Sequence, residues 1–263
     1  MLFKGPKIYT LSSGSSGNSV FISSGETSIL ADAGISMRAT EKALNELGCS
    51  LRDIDAVIIT HEHSDHIKGL EMISSHYGIP IYIPDACVYE LSPLIDRSLI
   101  HPMPSEGFEL GIGDIGVAAF PTPHDSAASV GYVFEIQGRR FGLATDIGYP
   151  TKRIADALCG CEKIIIEANY DRSMLENGPY PYPLRQRIAS NRGHLDNRDS
   201  AKLIAYLALE GGADRFLLAH LSDKNNTPEC ALETVITYLE RNNIKTSVEV
   251  ASRKGITCLV DQV

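Results

Sequence analysis

Residues His61, Glu62, His63, Ser64, Asp65 and His66 put four side chains able to ligate a metal into six consecutive positions, directly after the apolar run 54–60. The chain has 8 His and three of them fall here, which an ordinary polar surface turn does not account for. In an extended backbone, residues two apart point to the same side, so His61 and His63 can converge on one metal ion. The chain must then turn toward a helix, and Asp65 and His66 lie in that turn, where they can face a second ion. Imidazole and carboxylate suit Zn²⁺ or Mn²⁺, with Fe as a further option. Two ions ~3.5–4 Å apart can share a water, lower its pKa toward neutrality and stabilise charge that develops as the hydroxide attacks. That is hydrolytic chemistry.

The elements around this hexapeptide must hold it. The run 54–60 (IDAVIIT) is short, β-rich and apolar throughout, as a strand buried on both faces would be. A helix over 66–77, ended by Gly78, and a strand over 79–83 follow. Upstream, apolar runs at 8–11, 20–22 and 27–31 read as strands, the last two joined by the hairpin turn Ser24-Gly25-Glu26. Residues 37–47 place Ala43, Leu44 and Leu47 on one helical face before Gly48. Downstream come strands at 115–120, Val130–Ile136 and 141–144, a helix at Lys152–Leu158 and a strand at Lys163–Glu167. Residues 169–197 are polar, rich in Pro and Tyr, and weakly periodic. A helix at 199–210, a strand at 214–219, a helix at Pro228–Arg241 and strands at 247–251 and 256–260 complete the order. Hairpins mixed with βαβ units predict two packed sheets covered by helices, an α/β sandwich, as one domain over residues 1–263.

Composition narrows the function. With 24 Lys and Arg against 33 Asp and Glu, the net charge of −9 excludes a non-specific nucleic-acid coat but leaves room for a local phosphate site. No stretch approaches the ~20 apolar residues of a membrane span, and residues 1–10 lack the pattern of a signal peptide, so a soluble, cytoplasmic chain without a membrane partner is expected. The six Cys are scattered; Cys159-Gly160-Cys161 is one close pair with no second pair to complete a metal site, and buried or free thiols are expected.

The hexapeptide resembles the HxHxDH signature of metallo-β-lactamase-fold hydrolases. The family's other motifs match, in order, Asp32 after a strand, His124 in Pro123-His124-Asp125, Asp146 after the strand at 141–144, and His220 in Ala219-His220-Leu221. The resemblance implies an αββα sandwich with a two-metal site between the sheets. It implies His61, His63 and His124 on one ion, Asp65, His66 and His220 on the other, Asp146 between them, and Asp65 also as a catalytic group. Asp32 is expected to orient a ligand from behind.

Three features turn the expectation toward phosphodiesters. The loop 12–19, SSGSSGNS, offers backbone N–H groups at its glycines and hydrogen bonds from Ser12, Ser13, Ser15, Ser16 and Asn18 to a phosphate. Residues 171–198 carry five Arg against three acidic residues, a net +2, while the rest of the chain, 19 basic and 30 acidic, is −11. Arg185 and Arg187, with Tyr170, Tyr180 and Tyr182 close by, suit backbone phosphates and stacked bases. Gly193-His194 is similar to the Gly-His element of ribonuclease Z, in which a histidine supported by a glutamate protonates the leaving oxygen; no supporting acid is identifiable here from sequence. Over nearly its whole length the chain resembles the WalJ (YycJ) group of that fold, through SSGSSGNS, HEHSDHIKG, EANYDRSMLENGPYPYPLRQRI, GHLDN and LSDKNNTPE. That implies a metal-dependent 5′→3′ DNA exonuclease with DNA as substrate. The rivals are a small-molecule hydrolase acting on a cyclic phosphodiester, thioester or lactone, and a non-catalytic metal-binding regulatory protein.

Overall fold

The computed structural model describes residues 5–261; residues 1–4, where the stretch read for a signal peptide begins, and residues 262 and 263 lie outside the described residues. The first half of the chain forms β1 (Lys7–Ser12), β2 (Ser19–Ser23), β3 (Ser28–Ala31), α1 (Met37–Glu46), β4 (Ala56–Ile58), α2 (Ser64–Ile67), α3 (Leu70–Tyr77), β5 (Ile81–Pro84), β6 (Ile100–Met103), β7 (Phe108–Ile112) and β8 (Ile115–Pro121). The second forms β9 (Val130–Ile136), β10 (Arg139–Ala144), α4 (Lys152–Leu158), β11 (Lys163–Glu167), α5 (Arg172–Asn177), α6 (Tyr182–Ile188), α7 (Asn197–Leu209), β12 (Arg215–Ala219), α8 (Pro228–Arg241), β13 (Ser247–Val250) and β14 (Thr257–Asp261). They build two seven-stranded sheets, ordered β14-β1-β2-β3-β4-β5-β6 and β13-β12-β11-β10-β9-β8-β7.

Strand β11 shows why the sheets pack as they do. Its Ile165 points into a core shared by both sheets, with Ile29 and Ile58 of the first and Tyr132 and Leu217 of the second. Its neighbours Ile164 and Ile166 point the other way, into a layer with Ile154 of α4, Ile204 of α7 and Val235 of α8. On the first sheet, Val57 of β4 likewise faces outward against Leu44 of α1 and Leu70 and Ile73 of α3. Strands covered on both faces need apolar residues at every position, hence the unbroken runs. These are the two packed sheets covered by helices that the mixed order of elements predicts, in the αββα arrangement that the family resemblance implies.

Two differences from the sequence reading have physical causes. The helix expected over 66–77 is broken at Gly69. There the backbone N–H donates to the carbonyl of Ala33 at 2.7 Å, and a Cβ would lie 2.0 Å from the carbonyl oxygen of Ile35. The strand expected over 54–60 keeps only Ala56–Ile58 in the ladder, because Thr60 turns its N–H to the Asp32 carboxylate at 2.8 Å. The polar stretch 169–197 holds the short helices α5 and α6, and β6 and β7 fill a region with no clear period. Among the described residues no helix is long and apolar enough to cross a membrane.

Candidate metal centre and active site

The parallel strands β3 and β4 of one sheet, and β10, β11 and β12 of the other, bring their carboxyl ends to the same edge of the sandwich. Functional groups gather at such ends because the backbone leaves the ladder there. Asp32 follows β3, His61–His66 follow β4, Asp146 follows β10, Glu167 ends β11 and His220 follows β12. Asp32, Asp146 and His220 all have left-handed backbone, with φ of 61°, 56° and 56°. A non-glycine residue held there costs ~1–3 kcal/mol, a cost that packing elsewhere must offset and that commonly marks functional positions.

These ends form two clusters. His61, His63 and His124 bring ligand atoms within 4.8 Å of one another, as do Asp65, His66 and His220. Asp146 joins the two: its Oδ1 lies 3.6 Å from His124 Nε2 and its Oδ2 lies 3.3 Å from His66 Nε2. The far nitrogen of four of the histidines is tethered. His61 Nδ1 meets Thr60 Oγ1 at 3.0 Å, His66 Nδ1 meets Asp32 Oδ2 at 2.7 Å, His124 Nδ1 meets the Gly193 carbonyl at 2.9 Å, and His220 Nδ1 meets Glu167 Oε1 at 2.9 Å. Such partners fix the tautomer and turn the other nitrogen toward a metal. His61 Nε2 and Asp146 Oδ2 are buried and take no hydrogen bond, an arrangement a divalent cation would satisfy. The donor set of imidazoles and carboxylates fits such an ion. None of the clusters among the described residues includes a Cys.

Electrostatics agree with that chemistry. Burial first, and then the charge of His66, hold His61 well below the ordinary imidazole range, so it stays neutral and able to ligate. Burial opposes ionisation of Asp65 and Asp146, yet the surrounding histidines hold both carboxyls well below the carboxylate range. His66 is pushed up to about 10: burial works against its charge, but Asp32, Asp146 and Asp65 outweigh it. His220 is raised in the same sense by Asp146, Asp65 and Glu167. Without metal, protons on His66 and His220 balance the buried carboxylates.

The carboxylate that sequence could not supply is Glu167. Its Oε1 lies 2.9 Å from His194 Nδ1 and 2.9 Å from His220 Nδ1, while Oε2 accepts the N–H groups of Ile147 at 2.8 Å and Leu195 at 3.0 Å. His194 keeps 22% of its side chain exposed, with its ring 5.1 Å from that of His124 and 5.2 Å from that of His220. Burial would keep Glu167 protonated, but His194 and His220 hold it down to about 2. The one sequence signal was an acid ending an otherwise apolar strand.

The serine loop differs from the reading as a phosphate cradle. Ser12 and Ser13 are buried: Ser12 Oγ donates to the carbonyls of Gly17 and Arg253, each at 2.8 Å, and Ser13 Oγ accepts the His220 N–H at 2.8 Å. Asn18 turns its amide to Asp65 Oδ2 at 3.3 Å. The loop packs so closely that a Cβ on Gly34 would lie 2.6 Å from the backbone nitrogen of Asn18. The polar groups of these three side chains are used inside the protein, beside Asp65 and His220, which leaves them less free for a phosphate; Ser15 and Ser16 are exposed at the loop tip. Asp32 sits where a residue orienting His66 should, and also accepts the Thr60 N–H. Arg187 pairs with Asp125, next to His124, and Arg185 bonds the Glu176 carbonyl with its guanidinium 6.0 Å from the Tyr182 ring.

Fold and site together define a metallo-hydrolase, and the chain belongs to the metallo-β-lactamase superfamily: residues 27–221 match the family described as beta-lactamase superfamily domain. It is 35% identical to exodeoxyribonuclease YycJ of Bacillus anthracis over 88% of each chain. It is 34% identical to exodeoxyribonuclease WalJ of Streptococcus pneumoniae over 93% of this chain and 92% of that one. Among solved structures, the metallo-beta-lactamase fold protein YhfI of Bacillus subtilis superposes with a TM-score of 0.73 at 18% identity, covering 97% of this chain and 100% of that one.

Proposed function

We propose that this enzyme is a binuclear, metal-dependent DNA exonuclease working in the 5′→3′ direction. The observation that carries the reading is the His194–Glu167 pair beside both clusters. A thiolate leaves an acyl group without a proton, whereas the sugar oxygen of a phosphodiester is a poor leaving group that needs one. His194 is oriented by a buried carboxylate, partly open to solvent and adjacent to the ligands, as a general acid for that oxygen must be. The names of the relatives, exodeoxyribonucleases at 34–35% identity, support DNA as the polymer.

His61, His63 and His124 would hold one ion and Asp65, His66 and His220 the other, with Asp146 shared. Two divalent ions, when bound, supply Lewis acidity and a water acidic enough to attack near neutral pH. Asp32, Thr60, Gly193 and Glu167 keep the imidazoles in the ligating tautomer. Asp65 aligns the attacking water, and Asn18 keeps its carboxylate in place. Ser15 and Ser16, at the exposed loop tip, and Arg185 and Arg187 would meet the backbone of the strand. The test is hydrolysis of bis-p-nitrophenyl phosphate against an acylthioester, with and without chelator. The expected result is chelator-sensitive turnover of the phosphodiester; turnover of the thioester alone would contradict the reading.

A further inference from the structure

Tyr149 lies three residues past Asp146 and has no part in the metal chemistry, yet it keeps 46% of its surface exposed. The backbone just before it is held. The N–H of Gly148 donates to the Pro123 carbonyl at 2.7 Å, and a Cβ on Gly148 would lie 2.2 Å from the Asn191 carbonyl oxygen. The Tyr149 ring lines clefts on both sides. One, about 500 Å³, contains His124 and Arg192. The other, about 400 Å³, contains His194 and Tyr170.

The two clefts differ in charge. In the cleft with His194, Arg172 is the one Lys or Arg and it faces Glu176, Asp196 and Asp199. Its guanidinium is already engaged, 2.5 Å from Asp196 and 3.0 Å from Asp199. Such a wall keeps no free cation for a phosphate and suits an uncharged base ring. The cleft with His124 holds Arg192 and Glu106, so it lacks the acidic excess of the other; Arg192 bonds the His124 carbonyl at 3.1 Å and stands at the cleft as its cation. Hydrolysis of the phosphodiester puts OH on phosphorus, breaks the bond to the leaving sugar oxygen and gives that oxygen a proton. The group carrying that oxygen must lie on the side of His194.

We propose that the cleft between Tyr149 and His194 is the subsite for the base of the departing terminal nucleotide, which stacks on Tyr149. This rests on the exonuclease reading and deepens it: the terminal base must be splayed out of any duplex, so unpaired ends are the preferred substrate. Stacking of a base on an aromatic ring alters binding by about 10-fold in typical cases.

The test uses the metal-replete enzyme and single-stranded oligonucleotides that are intact, abasic at the 5′-terminal nucleotide, or abasic at an internal position. For wild type, the terminal abasic site should raise KM about 10-fold and the internal one should not. Tyr149→Ala should raise KM for intact DNA and erase the difference, with metal content intact, while Tyr149→Phe restores it. A terminal 2-aminopurine ahead of a non-hydrolysable linkage should be quenched on binding to wild type and Tyr149→Phe, and not to Tyr149→Ala. Equal KM values for all three oligonucleotides, or a Tyr149→Ala enzyme that still discriminates, would overturn the subsite while leaving the exonuclease in place. A wild-type enzyme that degrades no DNA would overturn both.

Discussion

At the scale of single residues, Glu167 joins the two halves of the chemistry. One carboxylate oxygen lies against both His194, the general acid of the proposed mechanism, and His220, a ligand in it. The two roles separate by substitution. His194→Ala should leave metal content intact and lower kcat on DNA by ~10²–10⁴-fold, the usual contribution of a general acid. The loss should shrink on p-nitrophenyl esters, whose leaving group needs no proton. Glu167→Gln should lower both kcat and metal content, because it disturbs both histidines. Equal losses on both substrates for His194→Ala, measured by steady-state kinetics beside metal analysis, would assign His194 a structural role instead.

At the scale of elements, what the sequence revealed followed the range of the interactions. Strand 54–60 and the hexapeptide after it are local: an apolar run covered on both faces, then a turn dense in ligands. The alternation of Ile164, Ile165 and Ile166 across two cores likewise needs no knowledge of distant residues. Glu167 was hidden because its partners, His194 and His220, are 27 and 53 residues away, and a lone acid at a strand end looks like a solvated terminus. Ser12 and Ser13 misled for the same reason, since the partners that bury them, Arg253 and His220, come from the far end of the chain. Helices α5 and α6, of six and seven residues, are too short to show a period. The segment bearing them turns at Gly193, whose carbonyl takes the His124 hydrogen bond, so it is attached to the site and presents Arg187 at its edge. Replacing Arg185 and Arg187 together by Ala should raise KM for DNA several-fold more than KM for a small aryl phosphodiester, because only a polymer extends that far. Steady-state KM values on the two substrates check this; equal changes would make the segment a solvated loop.

At the scale of the whole molecule, a chain of net charge −9 concentrates its ligands in one buried polar site at the edge of an apolar sandwich. Without metal, carboxylates around His66 raise it to about 10, so near neutral pH an ion must displace a proton to bind. Metal affinity should therefore rise with pH between about 6 and 8, by up to ~10-fold per unit for each proton displaced. Titration calorimetry in buffers of different ionisation enthalpy would read the proton release, and a pH-independent affinity without release would contradict it. The central claim is more direct: this site removes nucleotides from the 5′ end of DNA with the help of metal. Single-stranded DNA carrying a radioactive 5′-phosphate, incubated with the metal-replete enzyme, should yield labelled mononucleotide from the earliest times, while the same strand labelled at its 3′ end shortens progressively. Chelator or His66→Ala should abolish both. Labelled mononucleotide from the 3′ end first, internal fragments, or no DNA hydrolysis while a thioester or cyclic phosphodiester is consumed would contradict the account.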